Sequence, residues 1–175
     1  MTKKKTKKSP ETKEIKLALN SFTQPDPEGF TRVPTKTGLK TYESDSVDEM
    51  IVSNTLEYLE SSDRVKLLAE IYRVLKPGSK CLILVPYWSS ARAVQDPLIQ
   101  WPPMCEQSFL YYNKEWRKTN GVEHYPINCD FDFVYGYQVD AALQGRNAEM
   151  QQFAIKNYTN AVSALHVTLT KKAQD

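Results

Sequence analysis

Residues 44–86, SDSVDEMIVSNTLEYLESSDRVKLLAEIYRVLKPGSKCLILVP, constrain the fold more than any other part of the chain. They read as strand, amphipathic helix, tight turn and buried strand in one uninterrupted unit. Residues 48–54 form a short apolar strand, and Val65, Leu68, Ala69, Tyr72 and Leu75 recur at helical spacing, with Leu67, Ile71 and Val74 widening the same apolar face. Lys76, Pro77 and Gly78 supply a turn that stops the helix. Cys81, Leu82, Ile83, Leu84 and Val85 then run without alternation, the pattern of a parallel strand covered on both faces. A strand, crossover helix and parallel strand make half of a doubly wound α/β sheet.

The flanks extend this reading. Residues 14–19 and 30–33 are strand candidates, separated by a turn-rich loop that contains Gln24, Pro25, Asp26, Pro27, Glu28 and Gly29. Phe131, Phe133, Tyr135 and Tyr137 alternate as on one face of a strand, and Leu165, Val167 and Leu169 alternate in the same way. These two segments are expected to pair antiparallel at the sheet edge, with a helix over residues 151–161 between them and their aromatics packed into a core. The expected fold is α/β: a truncated Rossmann-like, doubly wound sheet, mostly parallel, with an antiparallel C-terminal strand pair. Residues 14–172 are read as one domain behind a disordered lysine-rich tail, residues 1–13.

The segments DSVDEM (45–50), NTLEYL (54–59), EIYRVLKPGSK (70–80) and LVPYWSSARAVQDP (84–97) resemble the later half of a class I methyltransferase domain, the fold that binds S-adenosylmethionine (methyltransferase type 11-like). The likeness continues through DPLIQWPPMCEQSFLYYNKEW, HYPINCDFDFVYGY and SALHVTLTKK, so that it covers roughly residues 15–172. In that family the first strand ends in a glycine-rich turn, and the second strand ends in an acid. Glycine lets the backbone pass close to the cofactor, and the carboxylate accepts the ribose hydroxyls.

Both devices are replaced here. Leu19, Asn20, Ser21 and Phe22 stand where the glycine turn is expected, and Val33 and Pro34 stand where the second strand would finish in an acid. Asn20 tolerates a left-handed backbone angle. The resemblance implies that the Phe22 ring projects toward the methionine part of the cofactor, and Pro34 offers neither a carboxylate nor an N–H. Asp26 and Glu28, the nearest acids, are assigned to turn formation. Residues 35–44 are also too few for a crossover helix plus a strand, so the family's third strand and adenine-contacting acidic loop are missing and the sheet is expected to be narrow.

Further on, Asn54 and Tyr58 stand where the family commonly shows histidines, beside Leu56 and Glu57. Glu57, at the end of a strand and facing the crevice, can act as a base or hold a substrate amine, or simply cap a helix or form a surface ion pair. Ile99 likewise replaces a family histidine near Asp96. Asn20, Ser21, Phe22, Asn54 and Glu57 are the positions the resemblance assigns to the cofactor, here in vestigial form.

Other classes are disfavoured by what the 175 residues contain. Cys81, Cys105 and Cys129 are odd in number and widely spaced, and His124 and His166 are far apart, so neither a disulfide framework nor a metal site is expected. There is no nucleophile elbow, P-loop or metalloprotease helix. No apolar run approaches a bilayer span and the lysine-rich start lacks a following hydrophobic region, so a cytoplasmic chain is expected. Lys3, Lys4, Lys5, Lys7 and Lys8 concentrate positive charge in a tail that can solubilise the chain or scan nucleic acid, while the rest is net acidic.

Two functions remain. One is a methyltransferase-fold pseudoenzyme that has lost S-adenosylmethionine and acts as a binding subunit, with a protein partner, an active methyltransferase relative, or a second copy of itself. The other is an active, shortened methyltransferase with an atypical cofactor site; a third, weaker reading is a crevice repurposed for another small ligand.

Overall fold

The computed structural model describes residues 14–20, 27–35 and 38–173. The lysine tail, Ser21 and Phe22, and the first half of the Pro-rich loop up to Asp26 lie outside the described residues, as does the side chain of Asn20. The described elements are, in chain order, β1 (Lys16–Asn20), β2 (Thr31–Arg32), β3 (Val47–Ser53), α1 (Ser61–Val74), β4 (Leu75–Pro86), α2 (Lys114–Thr119), β5 (Phe131–Val139), α3 (Ala141–Gln144), α4 (Ala148–Asn157) and β6 (Val162–Lys171). They build one six-stranded sheet in the order β2-β1-β3-β4-β6-β5. The first four strands run parallel, and β6 is antiparallel to both β4 and β5. The fold class is the expected one.

Register explains the core. Met50 of β3 lies beside Leu17 of β1 and Cys81 of β4, and Val52 lies beside Leu19 and Ile83. Ile83 and Val85 in turn face Val167 and Leu165 of β6. All of these are buried on one sheet face. Helix α1 covers that face with Leu67, Leu68, Ile71, Tyr72 and Val74, and the Tyr72 ring meets Phe131 edge-on at 5.1 Å. The stretch before α2 adds Phe109, fully buried and 6.4 Å from the Phe133 ring.

The other face corrects one expectation. Along β4, Lys80 and Leu82 are exposed and Leu84 is half-buried, so the strand alternates in environment although its sequence does not. Connections that would carry covering helices are short. Among the described residues between β2 and β3 only a 3-10 turn, Gly38–Thr41, is present. The Lys76–Gly78 turn is also absorbed into β4, as an irregularity between the Val47–Leu75 and Glu49–Lys80 pairings with Gly78 at φ 81°.

Two further differences concern the C-terminal third. The helix expected over residues 151–161 is α4, which starts at Ala148 because the Asn147 side chain accepts from the Met150 N–H, and α3 precedes it behind an equivalent Asp140 cap on Ala142. On β5, Phe131 is buried as expected, but Tyr135 is 50% exposed. Phe133 and Tyr137 on either side of it pack against the core as expected, so the exposure is confined to the middle of the stripe.

The 3-10 turn is packed hard against the end of β2. Gly38 donates to the Pro34 carbonyl at 2.8 Å, and a Cβ built on Gly38 would lie 2.8 Å from Val33 Cβ and 2.9 Å from Pro34 Cδ. Gly38→Ala is therefore expected to destabilise the protein by about 1–3 kcal/mol in urea unfolding, since both obstructing groups are short and one is a proline ring. An unchanged midpoint would show that the turn relaxes freely.

Candidate functional site

In a parallel sheet the crevice lies beyond the carboxyl ends of the strands. Here β1 and β3 finish side by side, with Asn20 paired to Ser53, and Ser53 paired to Leu84 of β4. The chain leaves β3 through Asn54, whose φ of 47° is in the left-handed region that asparagine tolerates. Asn20 itself is extended within β1, so this backbone role belongs to Asn54 rather than Asn20. The Asn54 N–H bonds the Leu84 carbonyl at 3.1 Å and its Nδ2 donates to Ser53 Oγ at 3.3 Å. Thr55 Oγ1 donates to the Ser53 carbonyl at 2.9 Å, which ties the exit to the sheet.

Glu57 follows in a 3-10 turn, Leu56–Tyr58, and is only 5% exposed. It is buried instead of standing at the surface, and Oε2 has no hydrogen-bond partner among the described residues. Burial pushes its carboxyl up to about 7, against the opposing pull of nearby backbone N–H groups, Arg64 and Arg92. Tyr58 turns outward and donates to Asp96 Oδ2 at 3.1 Å, and burial with this contact raises its phenol to about 12.

The group that organises this corner is one the sequence reading passed over. Arg64, 6% exposed on the apolar side of α1, donates Nε to the Leu56 and Leu59 carbonyls at 2.9 Å each. Its two terminal nitrogens reach Pro102 O at 2.6 Å and Gln100 O at 2.7 Å. Gln100 N also donates to the Glu57 carbonyl at 2.8 Å. One guanidinium thus clamps the Glu57 turn to a loop some forty residues later, and its place three and four residues before Leu67 and Leu68 was the signal that marked it.

The family cofactor fits these residues poorly. At the end of β2, where a carboxylate would receive the ribose, stand Val33, 6% exposed, and Pro34, with the 3-10 turn folded directly against them. Among the described residues β2 is the edge strand, with no further strand beside it to carry an adenine wall. Asn20, Asn54 and Glu57 do gather at the ends of β1 and β3, while Ser21 and Phe22 lie outside the described residues. A cavity of about 320 Å³ between the 3-10 turn and α1, lined by Leu39, Leu59, Leu67 and the rim residues Lys40, Lys66 and Glu70, does not include Asn54 or Glu57. A wider one of about 630 Å³ opens near Tyr72, Arg117 and Cys129, at a distance in the fold from that turn. No helix among the described residues is long and apolar enough to cross a membrane.

A parallel sheet closed by one antiparallel strand is the architecture of the class I, S-adenosylmethionine-dependent methyltransferases, and comparison agrees. A methyltransferase-domain family profile matches residues 10–83. No curated protein matches in sequence. Among solved structures the chain is similar to a SAM-dependent methyltransferase from Archaeoglobus fulgidus, with 14% identity and a TM-score of 0.55, covering 81% of this chain and 67% of that one. It is also similar to the complex between the Haloferax volcanii Trm112 methyltransferase activator and a methyltransferase, with 14% identity and a TM-score of 0.50, covering 86% and 65%. The protein is methyltransferase-like in fold, and it spans about two thirds of the length of these relatives.

Proposed function

We propose that this chain is a cytoplasmic methyltransferase-fold protein that no longer binds S-adenosylmethionine and acts as a non-catalytic subunit, with residues 14–172 as its single domain. The observation that carries this reading is the end of β2. Pro34 stands where the ribose acceptor is expected and offers neither a carboxylate nor an N–H, and Gly38 packs directly against it and Val33. An interaction role is supported by precedent within the fold, since one structural relative is solved with a protein activator, Trm112. Melting curves with and without S-adenosylmethionine or its demethylated product test the reading, because a ligand that binds the native state raises its stability. No shift is expected with either. Nor is binding expected to return in a Phe22→Gly, Pro34→Asp variant, because the missing strand beside β2 is not replaced; recovery would show that the two side chains, not the deletion, were decisive.

A second reading, an active shortened methyltransferase with Asn20, Ser21 and Glu57 lining its pocket, draws on one observation: the buried Oε2 of Glu57 without a partner at the end of β3. Such a carboxylate can receive a cationic or amine group. Saturable cofactor binding by the unmodified chain would favour it.

A further inference from the structure

The outermost strand on the C-terminal side, β5, is long for an edge, and FDFVYGYQV has no lysine, arginine or proline; its one irregularity lies at the far end, between Gln138 and Val139. The phase of its outward hydrogen-bonding groups follows from one bond. Lys172 N donates to the Asp130 carbonyl, so residues 130 and 172 form a hydrogen-bonded pair of the β5–β6 ladder. By alternation Asp132, Val134 and Gly136 turn their backbone groups toward β6, opposite Thr170, Thr168 and His166. Phe133, Tyr135 and Tyr137 then present N–H and C=O outward. The ends of the strand are already closed by side chains: Asn113 Nδ2 donates to Phe131 O at 2.9 Å, and Gln144 Nε2 to Val139 O at 3.1 Å. Between these two amides the edge is open among the described residues, and Val134 and Tyr135, 69% and 50% exposed, stand on it.

We propose that β5 pairs with β5 of a second copy of this chain, antiparallel about a two-fold axis through Tyr135, joining two sheets into one continuous sheet. The segment is self-complementary in that register. Tyr135 opposes Tyr135 of the second copy, and Phe133 opposes Tyr137, each in the phase that exchanges both main-chain hydrogen bonds. On the reverse face Val134 meets Gly136, large against small, and Asp132 meets Gln138, so no like charges are opposed. Asp132 is in addition neutralised by Lys172 at 3.1 Å. The perpendicular two-fold places the Phe133, Tyr135 and Tyr137 stripes of both copies on the same side, as one aromatic ladder that covers the exposed Tyr135 ring. This inference gives the subunit reading a specific partner, but it rests on the sheet alone and is independent of whether the cofactor binds.

The test is the mass of the full chain in solution by light scattering or sedimentation over a range of concentrations. A species of twice 20.1 kDa is expected. Tyr135→Pro should weaken it by tenfold or more, on the order of what loss of the central bond pair implies, while leaving the β5–β6 ladder intact because the Tyr135 N–H points outward. Tyr135→Lys, which keeps the N–H but sets two charges against each other, should do the same and covers the case in which the proline variant fails to fold. Amide exchange supplies a second readout: the Phe133, Tyr135 and Tyr137 amides should gain protection with concentration, whereas those of Val134 and Gly136 are protected throughout. A monomer at every concentration, or a dimer indifferent to both substitutions, would overturn the proposal.

Discussion

Arg64→Ala should lower the unfolding free energy by about 3–5 kcal/mol, a large part of the 5–15 kcal/mol typical of a single domain. The side chain is a buried cation whose compensation consists of main-chain carbonyls: Leu56, Leu59, Gln100 and Pro102 all accept from it. Truncation leaves the buried Leu56 carbonyl unpaired, at a cost of about 1–3 kcal/mol, releases the part-buried Leu59, Gln100 and Pro102 carbonyls from the clamp, and opens a space beside Leu67 and Leu68. Arg64→Lys should recover little, because a single ammonium cannot reach groups that lie on different sides of a planar fork. Lys66→Ala is the matched control. Lys66 lies on the exposed flank of the same helix, pairs with Asp63 at 2.8 Å, and should leave the unfolding midpoint essentially unchanged, because a solvated surface pair is screened. Urea unfolding of the three variants decides it: a loss in Arg64→Ala no larger than that of the control would show that the clamp holds nothing.

The second large effect is a pH dependence that runs opposite to the usual acid unfolding. The Glu57 carboxyl titrates at about 7 in the folded protein, above its ordinary 4.5, because burial disfavours the charged form. Between those values the folded state holds a proton that the unfolded state has released. Its contribution is therefore fully present below about pH 4.5 and is lost as pH rises through 7. The span corresponds to at most about 3 kcal/mol. Asp48, held below its ordinary value by Lys76 and the Ile15 N–H, and Glu70, held below by Arg73, act in the opposite direction and lose stability as the solution is acidified. The Glu57 share is therefore read as the difference between wild type and Glu57→Gln, whose stability should fall less from pH 5 to 8. Parallel profiles for the two proteins would mean that Glu57 stays charged in the fold.

What the sequence made legible was burial written as periodicity. The unit from β3 through α1 to β4 stood out because its apolar positions repeat at the spacing of the elements they form, and the alternation on β5 and β6 gave their pairing in the same way. The short span between β2 and β3 announced the narrow sheet by arithmetic alone. Environments that depend on distant chain were not legible. Leu82 and Ile83 look alike in sequence, yet one is 38% exposed and the other fully buried, because coverage of each sheet face is decided elsewhere. Glu57 resembled a surface acid until the loop around Gln100 closed over it. Asn20 and Asn54 offered the same left-handed tolerance, and only the pairing of β1 with β3 assigns it to Asn54. Arg64 was legible in principle: with Leu67, Leu68 and Ile71 it keeps helical spacing, and a charge on an apolar stripe calls for several acceptors.

The most direct measurement of the central claim is calorimetric titration of the full chain with S-adenosylmethionine and then with its demethylated product. Pro34 at the end of β2, without a carboxylate or an N–H for the ribose, predicts no binding heat with either ligand from protein that melts cooperatively. A saturable isotherm at micromolar strength, roughly −8 kcal/mol, would contradict it and make this chain a working methyltransferase with a rebuilt cofactor loop.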